Sequence, residues 1–401
     1  MAIDEAPPRF PFPAAAPGLE LPEEFARLRR EEPVARVTLP TGDSAWLVTR
    51  YADARAVLSD VRFSRAAAEQ PGAPRVGHTR PGPMNILGMD PPDHTRLRRL
   101  VSPAFSARRI EALRPHVATL ADDLVRAAVA RPRPVDLLAH VTYELPSRVI
   151  FELLGVPYAD FDQLHEWSEV IFSMVGHAPG EVAAARRKIQ DYLGGLIAVK
   201  RAEPTEDLLG VLIRHRDEGD RLTEPELIEF ALILITVGHM STAGTLGAML
   251  YTLLLHPDQL AALRRRPELV PAAVEELLRH NTFTLTGAQL RVAVADIELG
   301  GVTIRAGDAV LTALGSANHD PVVFADAGRL DLDRAAEAHL AFGHGIHYCL
   351  GASLARLELQ EAFRSLMRHL PATVHLAAEP RQLEIKTGLT ARALVELPVD
   401  W

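Results

Sequence analysis

A chain of 401 residues with 48% hydrophobic and 24% charged residues has the composition of a folded globular protein, which excludes a fibrous or disordered one. A formal net charge of -9 leaves no general basic footprint for nucleic acid. The one cysteine, Cys349, rules out an intramolecular disulfide framework, and the start MAIDEAPPRF lacks a signal-type leader, so the expected location is the cytoplasm.

In chain order, the first twenty residues are rich in Pro and Ala and predict an irregular arm. Apolar residues then recur at spacings of three and four in PEEFARLRREEP, YADARAVLSD, RIEALRPHVATLADDLVRAAVA, SEVIFSMV and GEVAAARRKIQDYLGGLIAVKRAE, which predicts helices. In DPPDHTRLRRLV, from Asp90, His94 and Arg98 lie four apart on one helical face, by itself a solvated basic surface. Phe230 to Leu255 contains no Asp, Glu, Lys or Arg and is long enough to span a bilayer. A capping box from Thr223 and Glu226 precedes it and His256-Pro257 stops it. A single internal span would also leave two large portions on opposite sides of a membrane. The reading is therefore a central helix of about 45 Å, buried all round.

Further on, EELLRH sets Glu276 and Arg279 three apart on a helix, ordinarily a weak surface pair. Val292, Val294, Ile297, Leu299, Val302 and Ile304 alternate around Gly300-Gly301 and Gly307-Asp308, predicting a small antiparallel meander. Helix returns from about 349 to 370, and short strands close the chain. With no repeat and no long Ser/Gly linker, residues 1–401 read as one mainly α domain with a minor β-rich region.

The lone thiol lies in HLAFGHGIHYCLGASLARLELQ, residues 339–360. Leu350, Leu354, Leu357 and Phe363, with the small Ala352 and Ala355, form a helical stripe that starts at Cys349. Its sulfur is thus expected at a helix N-terminus, where unpaired N–H groups stabilise a thiolate. Gly343, Gly345 and Gly351 strip side chains from both sides, so that backbone can approach a large flat ligand beside the Phe342 ring and the His347 tip. A buried structural thiol is the plain alternative. A protease nucleophile is another, but it needs a histidine base and an orienting Asn or Asp, and no such signature surrounds Cys349.

FGHGIHYCLG resembles the haem-binding loop of the cytochrome P-450 superfamily, with Phe342, Gly345, Cys349 and Gly351 at the family's spacing. The resemblance implies a triangular, mostly helical prism and haem b (iron protoporphyrin IX) with Cys349 as its metal ligand. Thiolate ligation favours O–O cleavage. It further implies cofactor contacts from Phe342, Gly343, His347 and Gly351, and propionate contacts from His94, Arg98 and Arg291. A buried network is implied for Glu276, Arg279 and Arg334, and SANHDP at 316–321 matches another family signature. The implied activity is an O2-dependent monooxygenase that hydroxylates, epoxidises or rearranges an apolar or amphipathic small molecule in bacterial secondary metabolism. Its expected partners are ferredoxin and ferredoxin reductase, without membrane or nucleic acid, and the chain is expected to be a monomer. Arg96, Arg99, Arg108, Arg109 and Arg356 would form a positive patch for an acidic ferredoxin. Met84, Ile86, Ile235, His239, Met240, Phe283 and Leu389 are the expected substrate-pocket residues.

One departure concerns chemistry. The family's central helix runs Ala or Gly, Gly, any residue, an acid, then Thr; here the order is Val237, Gly238, His239, Met240, Ser241, Thr242. Gly238, Ser241 and Thr242 remain the catalytic candidates, with the alcohol and a local helix break expected to hold water where oxygen is activated. Met240 replaces the acid, and a thioether cannot relay a proton. Three readings stay open: the hydroxyls suffice with water or a substrate hydroxyl, the reaction outcome is unusual, or peroxide is used directly. A haem-thiolate protein without turnover stands beside them. Phe283 also departs from the family, where proline is common.

Overall fold

The computed structural model describes residues 7–13, 19–77, 82, 84–172, 177–219, 222–281, 289–334, 338–386 and 393–401. The periodic stretches become helices: α1 (Glu23–Glu31), α2 (Tyr51–Ser59), α3 (Asp93–Val101), α4 (Ala107–Ala112) and α5 (Arg114–Val129). They continue as α6 (Glu144–Leu154), α7 (Phe161–Phe172), α8 (Pro179–Ala202), α9 (Leu208–Gly219) and α10 (Glu224–Leu255). The last four are α11 (Pro257–Arg265), α12 (Val270–His280), α13 (Leu314–Ala317) and α14 (Ala352–His369). The stretch read as one helix from Arg109 to Ala130 divides in two because Pro115 sits in the first turn of α5, where a missing N–H costs nothing.

The start of α10 is the expected capping box: the Thr223 N–H donates to the Glu226 carboxylate at 2.8 Å, and the Glu226 N–H returns to Thr223 Oγ1 at 3.3 Å. Its far end passes directly into α11 at Pro257. Among the described residues α10 is the one helix long and apolar enough to cross a membrane, yet 72% of its most apolar window is buried. Helices α6, α7, α8 and α14 pack around it, so apolar character on every face reflects a core position.

The strands are β1 (Val34–Thr38), β2 (Ser44–Val48), β3 (Phe63–Ser64), β4 (Val135–Asp136), β5 (Arg291–Ala293), β6 (Ile297–Leu299), β7 (Val302–Ile304) and β8 (Ala309–Thr312). Near the C-terminus come β9 (His375–Leu376), β10 (Ile385–Lys386), β11 (Ala393–Leu394) and β12 (Pro398–Asp400). The expected meander separates into two parts. Strands β6 and β7 form a hairpin across Gly300 and Gly301, both at positive φ, whereas β5 and β8 join a five-stranded sheet of order β1-β2-β8-β5-β3. That sheet unites residues about 250 positions apart and carries Arg291 into the interior. Strand β12 pairs with β4 and β9, while β10 pairs with β11. The described part of the N-terminal arm is irregular, pinned by an Arg9–Thr38 bridge and by Phe10 and Phe12 edge-on to Phe25. The result is a single, mainly α domain with small sheets.

Candidate functional site

The loop from Phe342 to Gly351 precedes α14, which begins at Ala352 and not at Cys349. Gly343 and Gly345 turn it at φ 73° and 71°, and a Cβ on Gly345 would lie 2.3 Å from the Leu58 carbonyl oxygen, so no other residue fits there. The turn closes with the Cys349 N–H donating to Phe342 O at 2.9 Å. Although the helix starts later than expected, the Gly351 N–H still donates to the Cys349 sulfur. Burial pushes the thiol up, opposed by that N–H and by the Arg98 and Arg356 guanidiniums. Cys349 nevertheless keeps exposed surface. Surrounding protein and the residue's remaining exposure together place it in the wall of a recess. At Gly351 neither φ nor a neighbouring protein atom within 4 Å demands glycine, so backbone access to that recess is the remaining use of the missing side chain.

Beside the sulfur, the Arg356 guanidinium lies 4.4 Å over the Phe342 ring. It donates to Glu275 at 2.7 and 2.9 Å and to Tyr348 Oη at 3.0 Å. Burial alone would raise the Glu275 carboxyl, but hydrogen bonds from His339 and Arg356 outweigh it and bring the group down to about 2.

A second cluster gathers basic groups from four segments. Helix α3 supplies His94 and Arg98, β5 supplies Arg291, the loop supplies His347, and the turn after β3 supplies Arg65. Arg291 is 2% exposed; burial draws it down to about 10, so it stays cationic at neutral pH. His94 is lowered to about 4, mainly by burial and then by Arg98 and Arg65. The His347 ring lies 4.2 Å from that of His94 and is depressed by burial and by Arg65, His94, Arg291 and Arg98 in turn. Nearby Asp90 is already engaged by the Ser64 hydroxyl and by the Arg65 and Ala66 N–H groups.

Arg65 Nε, Arg291 Nη2 and His347 Nε2 are buried without a hydrogen-bond partner among the described residues. Each such group costs about 1–3 kcal/mol if nothing satisfies it. Buried cations with spare donors call for carboxylates, and Arg98, which feels the charge of Cys349, links the cluster to the sulfur. A haem, with iron for the thiolate and two propionates for the basic groups, fits this donor set. Arg65 was not among the residues expected from sequence, since a lone Arg after a two-residue strand carries no periodic signal.

On α10, Leu234, Val237, Gly238 and Ser241 are the incompletely buried residues around the departure, and their spacing puts them on one stripe. Ser241 Oγ donates to Val237 O at 2.8 Å and Thr242 Oγ1 to Gly238 O at 3.4 Å. The expected helix break does not occur: α10 is continuous, and these hydroxyls bond to it without interrupting it. Met240 is buried. Ile235 and His239, expected in the substrate pocket, are completely buried on another face, where His239 approaches Phe151 of α6 and Phe161 of α7. His239 Nδ1–H donates to Ile235 O at 2.5 Å, and His165 Nδ1 lies 3.1 Å from His239 Nε2. Helical phase is the reason: counting back from Ser241 by three, four and seven reaches Gly238, Val237 and Leu234. Ile86 is buried in a short 3₁₀ turn and Met84 is partly exposed. Phe283 and Leu389 lie outside the described residues.

The Glu276–Arg279 pair is buried, with both side chains 2% exposed, rather than a surface pair. Two Arg279 nitrogens donate to Glu276 at 2.7 Å, Arg334 Nε adds 3.1 Å, and the Asp331 N–H adds another 3.1 Å. Arg279 also holds the carbonyls of Asn318 and Ala327, while Arg334 holds those of Ala325, Asp326 and Arg329. Asn318 Oδ1 accepts the Leu340 N–H at 2.7 Å, so the network reaches the cysteine loop. Of the expected basic patch, Arg96 pairs with Glu226 and Arg356 with Glu275, leaving Arg99, Arg108 and Arg109 as its exposed members.

The family model described as Cytochrome P450 matches residues 7–394. Mycinamicin IV hydroxylase/epoxidase of Micromonospora griseorubida is 45% identical over 386 residues, covering 96% of each chain. Nocardicin C N-oxygenase of Nocardia uniformis subsp. tsuyamanensis is 45% identical over 384 residues, again covering 96% of each. Among solved structures, the LnmA cytochrome P450 hydroxylase from the leinamycin biosynthetic pathway of Streptomyces atroolivaceus matches with a TM-score of 0.90 and 45% identity, covering 98% of this chain and all of that one.

Proposed function

The chain belongs to the cytochrome P450 family, and from that premise we propose a bacterial tailoring monooxygenase in which Cys349 ligates haem iron. His94, Arg98, Arg291 and His347, joined by Arg65, hold the propionates, and Phe342, Gly343 and Gly351 border the macrocycle. The observation that carries this reading is an exposed Cys349 beside a cluster of buried basic groups with unused donors. Relatives named as a hydroxylase/epoxidase and an N-oxygenase favour turnover with O2 over a haem protein without turnover.

Bound there, haem supplies oxygen activation, helped by thiolate donation. The protein's part is to hold and shield. Gly351 N–H and Arg356 moderate the negative charge on sulfur, while Glu275 and Phe342 fix Arg356. Ser241 Oγ donates its own proton to Val237 O, so its lone pairs are available to accept from a water on the same stripe. Glu276, Arg279 and Arg334 keep residues 318–334, and through Leu340 the loop, in register.

The substrate is an apolar or amphipathic small molecule. Electrons come from ferredoxin and ferredoxin reductase, with the ferredoxin docking at Arg99, Arg108 and Arg109. Residues 1–401 act as one catalytic unit, monomeric and cytoplasmic, with α10 as a core helix. Raising ionic strength should slow reduction by an acidic ferredoxin, and a salt-independent rate would remove the docking assignment. The central test is the reduced carbon monoxide complex: it should show the far-shifted Soret band of thiolate ligation and lose it in Cys349→Ser. A normal band in that variant would overturn the ligand assignment. A natural-product screen for spin-state shifts then identifies the substrate class.

A further inference from the structure

Residues 84–90 run from the partly exposed Met84 through the 3₁₀ turn Ile86–Gly88 toward α3, and they hang on the turn after β3. Asp90 accepts from the Ser64 hydroxyl and from the Arg65 and Ala66 N–H groups, the last two at 3.0 and 3.3 Å. Ahead of the turn, Glu69 accepts the Gly82 N–H at 2.9 Å. Between these two ties, Arg65 Nη1 donates to Leu87 O at 3.1 Å. Inside the turn, the buried Asn85 accepts the Leu87 N–H on its side chain at 3.0 Å and the Gly88 N–H on its carbonyl at 2.9 Å.

Of the three ties, Arg65 is the one that also belongs to the basic cluster. It is 5% exposed, and while Nη1 serves Leu87, its Nε is buried with no partner among the described residues. Burial and then Arg291 press the guanidinium well below its ordinary range. Asp90 and Glu69 pull the other way, but each already accepts backbone N–H groups. A buried cation beside a second cation, with a donor left over, opposes folding on polypeptide partners alone. A carboxylate in the cluster supplies the missing acceptor and the countercharge together.

We propose that Arg65 is a positioning residue that couples a haem propionate to residues 84–90, giving one nitrogen to the carboxylate and another to Leu87 O, so that the Ile86–Gly88 turn is held while the carboxylate is bound. The proposal rests on the haem reading. Its consequence is local. Without the carboxylate the guanidinium loses its reason to stay beneath Leu87, and the segment that carries Met84 and Ile86, both expected at the substrate, loosens. Cys349 and its loop keep their own hydrogen bonds.

Hydrogen exchange of the amides at 85–89, read by mass spectrometry, tests this in a four-part cycle. Parent and Arg65→Met are each loaded with haem b or with its dimethyl ester, which keeps the iron and the ring and lacks both carboxylates. The Soret band of the reduced carbon monoxide complex confirms that each preparation is loaded on the thiolate. The haem-loaded parent should exchange slowest. Either the ester or Arg65→Met should speed exchange at Leu87 and Gly88 about tenfold, the lower end for one hydrogen bond to a charged group, and the two together should do no more than either alone. If Arg65 merely packs, the difference between haem and ester would persist in Arg65→Met, and that result would overturn the proposal. Each arm decides alone where the other preparation cannot be made: equal exchange in haem-loaded and ester-loaded parent, or in parent and Arg65→Met loaded with haem, would overturn it too. A parent that takes up neither haem nor its ester would instead overturn the haem reading, and this proposal with it.

Discussion

Replacing Glu276 by Gln keeps the side-chain shape and removes one charge from a network that is buried at Glu276 and Arg279. In the parent, one carboxylate accepts from Arg279 twice, from Arg334 and from the Asp331 N–H. A carboxamide offers one acceptor and turns its NH2 toward guanidinium donors, so one Arg279 contact becomes a donor–donor clash. Removing one partner of a buried ion pair costs about 3–5 kcal/mol. Arg279 and Arg334 keep their backbone carbonyls, which offsets part of their lost charge partner, so the lower end, about 3 kcal/mol, is expected here. With an unfolding entropy of about 2.1 cal/mol/K per residue, a chain of 401 residues changes by roughly 0.8 kcal/mol per degree, and Tm should fall by about 4 °C. Circular dichroism during thermal unfolding of the haem-loaded protein reads this, with the Soret band as a second probe because bound cofactor complicates a two-state treatment. The apolar triple variant Glu276→Leu, Arg279→Met, Arg334→Met should be worse than the single one, unlike an isolated ion triad, because it orphans the carbonyls between 318 and 329 as well. A single-variant loss below about 1 kcal/mol, or a triple variant as stable as the parent, would refute the reasoning.

Arg291→Met should preserve volume and stability of the sheet yet release haem to a globin acceptor about a hundredfold faster, the loss of one buried charge-assisted partner at roughly 1.4 kcal/mol per decade; an unchanged release rate would separate Arg291 from the propionates. Ser241→Ala should lower product formed per electron consumed with little change in substrate affinity, and unchanged coupling would deny its role in holding water. His239 is buried and neutral, held down to about 4 by burial and by His165. Its folded value lies below its unfolded one, so its contribution is full above about 6.5 and is lost as pH falls toward about 4, at up to about 1.4 kcal/mol per unit. His239→Gln should flatten the stability–pH curve by about one proton in that window, and an unaltered slope would show that His239 does not titrate there.

Most of the fold was legible because periodicity and punctuation agree. The Thr223–Glu226 cap, the uncharged run from Phe230 and the stop at Pro257 together specify α10 as found. What local pattern could not give was partnership over distance. Val292 and Val294 alternate like the strands that follow them, yet β5 skips the β6–β7 hairpin to pair with β8 and with the distant β3, since side-chain alternation marks a strand without naming its neighbour. Pro115 divided a helix whose apolar stripe ran on across it, which the proline rule could have anticipated.

The site divides along the same line. Cys349 and its glycines were readable because a tight loop is local, and Glu276 with Arg279 because three residues separate them. Burial turned that pair from a surface ornament into a hub, and burial is not encoded in spacing. On α10 the structure buries Ile235 and His239 on a face other than that of Ser241, a matter of helical phase rather than residue type, and phase alone selects Leu234, Val237 and Gly238 once Ser241 is fixed. Arg65 escaped for a deeper reason. It is a single charged residue in an unremarkable stretch, and it acquires meaning only from what stands opposite, the like charge at Arg291. Two like charges buried together with donors left over oppose folding by themselves, and carboxylates from outside the polypeptide's own inventory are what a bound haem would bring to them.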